Sequence, residues 1–285
     1  MGKLTLVLGI AAMGVASLTA CEPVPEGIWD GPVYEVERFD DITYATVFDE
    51  HGELQDQKLD LYVPANDTRT KRPVFIWAHG GSFTAGDKSS MRWIPEAMAA
   101  RGYLVASINY RLREDMPSVR FPLNTEELIA IIEAKEDMQG AVRYFRDLAG
   151  FFKVDPTRIS VGGYSAGAVM ALITATTPDI PGGSGHPNVS SEVCTAVSVS
   201  GAGTDLFIDP DDAGALFLHG SSDTIVPYAQ GVATYDAMVG HGLTAQLVTY
   251  DGTGHAVPGE HPDEMIDEMT IWLKEQMVAR IGGCL

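Results

Sequence analysis

The amino-acid sequence predicts an α/β fold: a mostly parallel central sheet with helices on both faces and antiparallel strands on the N-terminal side. Two observations predict it. Short, continuously apolar segments alternate with longer ones whose apolar residues recur at helical spacing, the pattern of parallel strands covered on both sides by crossover helices. Ahead of them lie segments of alternating polarity separated by turn residues, which read as an antiparallel opening.

The opening strands are residues 33–39, 42–47 and 58–64. Residues 74–78, Val-Phe-Ile-Trp-Ala, form the first buried strand. A helix at 93–101 and a strand at 103–109 follow. Residues 126–151 carry Leu128, Ile131, Ile132, Val142 and Phe145 at helical spacing, and Asp155-Pro156 breaks the pattern. Then come a strand at 158–162, a helix at 166–177, strands at 196–200 and 215–218, a helix near 229–239, a strand at 246–250 and a closing helix at 263–280. Three loops rich in Pro, Gly or polar residues, 113–125, 178–192 and 204–214, are expected to rim a site at the carboxyl edge of the sheet.

With 285 residues, 45% of them hydrophobic, the chain can bury a full core as one large domain, which excludes a disordered polypeptide. Lys and Arg number 19 against 39 Asp and Glu, a formal charge of −20. Such a surface repels phosphate backbones, so nucleic acid is not an expected partner. Met1-Gly2-Lys3 gives a positive start, residues 4–16 are apolar and uncharged, and Leu18-Thr19-Ala20-Cys21 follows, the layout of a secretory signal. Its ending resembles a bacterial lipobox, which implies lipidation of Cys21; ordinary signal cleavage or an uncleaved anchor are the alternatives. The expected organisation is a signal at 1–20, a tether at 21–31 and a single catalytic domain at 32–285. The expected location is the bacterial cell envelope, periplasmic or surface, or the extracellular medium after release. A membrane is then a partner only through the lipid. In an oxidising compartment Cys194 and Cys284 pair if geometry allows, the alternative being two separate buried thiols. Neither has ligand-spaced histidines or cysteines nearby, so no metal site is expected.

The chemistry is concentrated in Gly163-Tyr164-Ser165-Ala166-Gly167, a Gly-x-Ser-x-Gly run lying between a strand and a helix. A sharp turn there lifts the Ser165 hydroxyl to a helix N-terminus, and the flanking glycines avoid collision. His79-Gly80-Gly81-Ser82-Phe83 directly follows the strand 74–78. Its glycines let backbone N–H groups approach a developing oxyanion, with Gly81, Ser82 and Ala166 as the expected donors. His79, at the head of this loop, reads as a brace. A serine nucleophile needs a base and the base an orienting carboxylate. Asp223 lies on the turn after the strand 215–218, and His255 on the glycine loop after 246–250, at the edge where Ser165 emerges. Asp205 is the alternative acid, and Asp251 lies too close in sequence to His255. His219 reads as packing at a strand end; His186, His241 and His261 read as surface.

These residues make the chain resemble an α/β-hydrolase serine esterase. It is most similar to bacterial carboxylesterases with a His-Gly-Gly oxyanion loop, the group of hormone-sensitive-lipase-like and feruloyl-esterase-like enzymes. Residues 58–64, His79–Phe83 with Gly86-Asp87-Lys88, Asn109-Tyr110-Arg111, 137–143, 155–165 and 220–227 carry the resemblance. It departs where Tyr164 replaces a common acid, Ala168 a glycine and Ser82 a third glycine. The resemblance implies an α/β-hydrolase fold and the triad Ser165, Asp223 and His255, working without a metal or organic cofactor. It also implies a carboxylic ester substrate, small or polymeric: short-chain acyl esters, or acetyl and feruloyl groups on polysaccharide. The alternatives are a serine peptidase of the same fold, a polyester depolymerase and a non-catalytic envelope binding protein.

Overall fold

Seven consecutive buried residues, Arg72–Ala78 (β3), set the architecture, because a strand with no exposed face needs cover on both sides. The computed structural model describes residues 28–117, 124–178, 180, 182–204, 208–280 and 283–284. In it Val74, Ile76 and Ala78 face one core, shared with Met138, Val142 and Phe145 of α2 (Thr125–Asp147) and Met170 of α4 (Ala166–Thr176). Phe75 and Trp77 face the other, shared with Ile94 and Met98 of α1 (Trp93–Ala100) and with Met265, Met269 and Leu273 of α7 (Pro262–Leu273). The remaining helices among the described residues are α3 (Ala149–Phe152), α5 (Tyr228–Gly240) and α6 (Val257–Glu260), with a π-helical turn at Lys274–Val278 after α7.

The other strands are β1 (Val36–Phe48), β2 (Leu54–Pro64), β4 (Leu104–Ile108), β5 (Val154–Tyr164), β6 (Thr195–Val199), β7 (Gly214–Gly220) and β8 (Ala245–Tyr250). They form one sheet in the order β1-β2-β4-β3-β5-β6-β7-β8. The β1–β2 and β2–β4 pairings are antiparallel and the rest parallel, as the sequence pattern predicts.

The differences are local. Residues 33–39 and 42–47 belong to one strand, because Asp40-Asp41 is a bulge rather than a turn. The ladder skips from Phe39 to Ile42, and Asp41 has φ 59°. The Asp41 N–H donates to Asp60 Oδ1 at 3.1 Å, and Lys88 Nζ sits 2.9 Å from both carboxylates, so the bulge is tied to the strand beside it. The long helix ends at Asp147 rather than near 151, and Asp155-Pro156 lies inside β5, where the β3–β5 ladder skips between Arg72 and Val74. Leu128 and Ile132 are exposed on α2, whose buried face uses Ile131, Val142 and Phe145.

Cys194, just before β6, is disulfide-bonded to Cys284, with Cα atoms 5.1 Å apart, so the two thiols are not independent. Residues 209–213 and the ends of the 178–192 loop gather beside Cys194, Gly214 and Thr244. That is the amino edge of the sheet, so these segments do not rim a site at the opposite edge; α4 has already carried the chain back before Pro178. No helix among the described residues is long and apolar enough to cross a membrane. The signal 1–20, Cys21, tether residues up to 27, and Asp205 lie outside the described residues.

Candidate active site

The turn at Ser165 is shaped by backbone crowding. Between the end of β5 and the start of α4, Ser165 has φ 55° and ψ −116°, a conformation that costs a non-glycine residue about 1–3 kcal/mol. Its N–H donates to the Val199 carbonyl at 2.9 Å, and its own carbonyl accepts from the N–H groups of Ala168 and Val169. A Cβ at Gly163 would lie 2.4 Å from the carbonyl carbon of Gly167, and one at Gly167 would lie 2.3 Å from the carbonyl oxygen of Ala78. Both approaches are backbone to backbone, and glycine is the residue that permits them.

β3 leads straight into the His79–Phe83 loop. Gly81, Ser82 and Phe83 all have positive φ, and the Gly81 carbonyl accepts from the Thr84 and Ala85 N–H groups at 3.0 Å. A Cβ on Gly80 would meet the Ser165 Cβ at 3.1 Å, so the loop runs directly beside the serine. The N–H groups of Gly81, Ser82 and Ala166 donate to no backbone carbonyl among the described residues. His79 braces the loop, as its position in the sequence suggests. Its Nδ1–H donates to the Gly80 carbonyl at 2.7 Å, its ring stacks on Tyr110, and the Tyr110 hydroxyl donates to the His79 carbonyl at 2.9 Å. Burial pushes the His79 imidazole below its ordinary pKa, so the brace is neutral. Behind it the Lys88 N–H donates to Asn109 Oδ1 at 2.6 Å and the Asn109 amide donates to Asp87, joining two motifs that the sequence shows only as separate fragments.

Asp223 follows β7 and His255 follows β8. Their loops are cross-linked, Ser221 N–H to the Tyr250 carbonyl and Ser222 N–H to the Thr253 carbonyl. His255 Nε2 lies 2.9 Å from Ser165 Oγ, and its Nδ1 lies 2.7 Å from Asp223 Oδ2. The Asp223 side chain is fully buried, and its Oδ1 accepts from the N–H groups of Ile225 and Val226 at 2.9 and 3.1 Å. A buried carboxylate needs such donors. With Nδ1–H committed to Asp223, Nε2 faces Ser165 as an acceptor, the tautomer that can take a hydroxyl proton.

Three neighbours have roles that the sequence does not announce. Ser200 Oγ and the Tyr164 hydroxyl both donate to the His255 carbonyl, at 2.9 and 3.2 Å. His219 packs, as expected, and also reaches Asp223. Their only sequence signal is position: Tyr164 adjoins the serine, and Ser200 and His219 stand at strand ends. Three other polar candidates have other partners: His186 pairs with Asp147, His261 with Glu264, and Asp251 accepts from Ser221. Elsewhere Glu50, His51 and Asp115 bring three potential metal-ligand atoms within 4.8 Å of one another, with Arg113 3.7 Å from Glu50.

Residues 59–201, half of the chain, match the BD-FAE family. The chain belongs to the BD-FAE family. That match contains the His79–Phe83 loop and Ser165 and stops before the acid and the histidine. Residues 200–279, which hold both, match the prolyl oligopeptidase family. A probable isoprenylcysteine alpha-carbonyl methylesterase of Oryza sativa subsp. japonica is 27% identical over 249 residues, covering 72% of this chain and 55% of that protein. The para-nitrobenzyl esterase of Bacillus subtilis (strain 168) is 32% identical over 143 residues, covering 46% of this chain and 28% of that protein. The chain thus spans about half the length, or less, of these curated relatives.

Among solved structures, a truncated carbohydrate esterase from gut microbiota superimposes with TM-score 0.70 at 22% identity, covering 86% of this chain and 99% of that one. Esterase 2 of the planctomycete Thermogutta terrifontis does so with TM-score 0.70 at 21% identity, covering 86% and 92%. It has also been solved phosphorylated by paraoxon. The BD-FAE chain therefore has the α/β-hydrolase fold of these esterases.

Proposed function

We propose that this BD-FAE chain is an exported serine carboxylesterase, held by lipid at Cys21, that cleaves short-chain acyl esters or acetyl and feruloyl esters of polysaccharide. The observation that carries the reading is the unbroken line Ser165 Oγ, His255 Nε2, His255 Nδ1, Asp223 Oδ2, at 2.9 and 2.7 Å. Ser165 Oγ attacks the ester carbonyl as His255 takes its proton, and Asp223 stabilises the imidazolium so formed. The oxyanion accepts from the N–H groups of Gly81, Ser82 and Ala166, donors worth about 3–4 kcal/mol each in comparable sites. His255 returns the proton to the departing alcohol. Water, deprotonated by the same imidazole, then attacks the acyl-enzyme; the acid leaves and His255 returns the proton to Ser165 Oγ. The esterase relatives support the reaction class, and the Cys194–Cys284 disulfide supports an oxidising compartment.

A p-nitrophenyl ester series from acetate to palmitate, run on the protein and on Ser165→Ala, tests it. Turnover of the short esters that vanishes in the variant is the expected result. Full activity in folded Ser165→Ala overturns the assignment. The prolyl oligopeptidase match over residues 200–279 favours a serine peptidase as the second reading. Rapid cleavage of peptides beside inert esters would select it.

A further inference from the structure

Asp223 Oδ2 has a second imidazole beside it. His219, on β7 and only 1% exposed, brings its Nε2 to 3.2 Å from Asp223 Oδ2 and 3.0 Å from the Val226 carbonyl. Both neighbours are acceptors, so a proton on Nε2 satisfies them and its absence would set three lone pairs against one another. Nδ1, at the other side of the ring, is buried with no hydrogen-bond partner among the described residues. A proton placed there would be a buried donor without an acceptor. The backbone of α5 also approaches the ring closely at Gly231, where a Cβ would sit 2.5 Å from Nδ1.

We infer that His219 is a positioning residue for the triad acid, a neutral imidazole whose Nε2–H holds Asp223 Oδ2 in line with His255. The inference rests on the esterase reading above. Burial depresses the His219 pKa, which keeps the ring neutral. Asp223 Oδ1 is fixed by the N–H groups of Ile225 and Val226, and Val226 also supplies the carbonyl that His219 bonds. The turn and His219 together therefore fix both oxygens of the carboxylate. Without His219, among the described residues only His255 itself restrains Oδ2, at the moment when that ring must exchange protons with Ser165 and substrate.

The test uses the full chain and two variants. In wild-type protein with 15N-labelled histidine, NMR should find His219 neutral with its proton on Nε2, and His255 Nδ1–H as a strongly downfield proton. His219→Leu, which removes the donor, should lose about tenfold in kcat with KM nearly unchanged, as for one lost hydrogen bond to a charged group. The downfield His255 signal should move with it. His219→Gln, whose side-chain amide can reach the same place, should restore most of kcat and the signal. A His219 proton on Nδ1 in wild type overturns the inference even if the leucine variant fails to fold. So do equal losses in both variants, or none in either. Wild-type protein that hydrolyses no ester defeats the esterase reading instead, because the NMR observations need no turnover.

Discussion

Tyr164 and His255 are joined across the site: the phenol of the residue preceding Ser165 donates to the histidine carbonyl at 3.2 Å, and the two rings lie 5.1 Å apart. Burial pushes the Tyr164 pKa up, so the hydroxyl stays a donor. Ser200, at the end of β6, donates to the same carbonyl at 2.9 Å. The loop after β8 is thus pinned to the ends of β5 and β6, which places the imaginary line from Ser165 to Asp223 through a fixed His255 ring.

Two donors on one acceptor are partly redundant. Tyr164→Phe and Ser200→Ala should each lower kcat only about two- to fivefold, whereas the double variant should lose more than the product, with a coupling of about 1 kcal/mol. Ester turnover in the four proteins of the cycle measures it. Strictly multiplicative losses would show that the carbonyl is not held jointly.

The positive φ at Ser165 predicts a stability gain when the nucleophile is lost in one way but not another. Ser165→Gly relieves the backbone strain, while Ser165→Ala keeps it. The glycine variant should be more stable than the alanine variant by about 1 kcal/mol, after the entropic cost of glycine. Urea unfolding of the two compares them directly, and a less stable glycine variant contradicts the strained turn.

The Cys194–Cys284 bridge spans 90 residues. Chain-entropy arguments give about 4–5 kcal/mol for a loop of that length, as an upper figure. Reduction should therefore lower the melting temperature markedly. Activity well below that temperature should persist, because the bridge lies at the amino edge, away from Ser165. Unchanged melting under reductant would mean that the bridge contributes little.

Stability should fall on mild acidification. Burial holds His79 and His219 below the ordinary histidine value of 6.5. The unfolded chain therefore binds more protons than the folded one as pH drops below 6.5. Their contribution is complete above about 6.5 and is lost as pH falls through the folded values. Melting temperatures should decline from pH 7.5 to 5, less steeply in His219→Gln. A flat profile contradicts the buried, neutral state of both rings.

The features legible in the sequence share a physical basis. Parallel strands buried on both faces must be continuously apolar, so residues 74–78 announce β3. The loops after parallel strands share one edge, so Ser165, Asp223 and His255 can be grouped from the sequence alone. What was hidden depends on contacts that only the folded chain makes. Asp40-Asp41 has the composition of a turn, but Asp60 and Lys88 from elsewhere hold it as a bulge. Leu128 and Ile132 fit helical spacing, yet the α2 face that is buried is decided by the sheet beneath it. His219 is indistinguishable in sequence from any strand-end histidine; only the fold brings its Nε2 to Asp223.

Ser165 is proposed as an activated nucleophile served by His255. Paraoxon labelling followed by intact-mass and peptide mapping tests it without assuming a substrate. One diethylphosphoryl adduct is expected, on Ser165, with loss of any ester turnover, no adduct in Ser165→Ala and much slower labelling in His255→Gln. A folded protein that takes no adduct, or carries it on another residue, would contradict it.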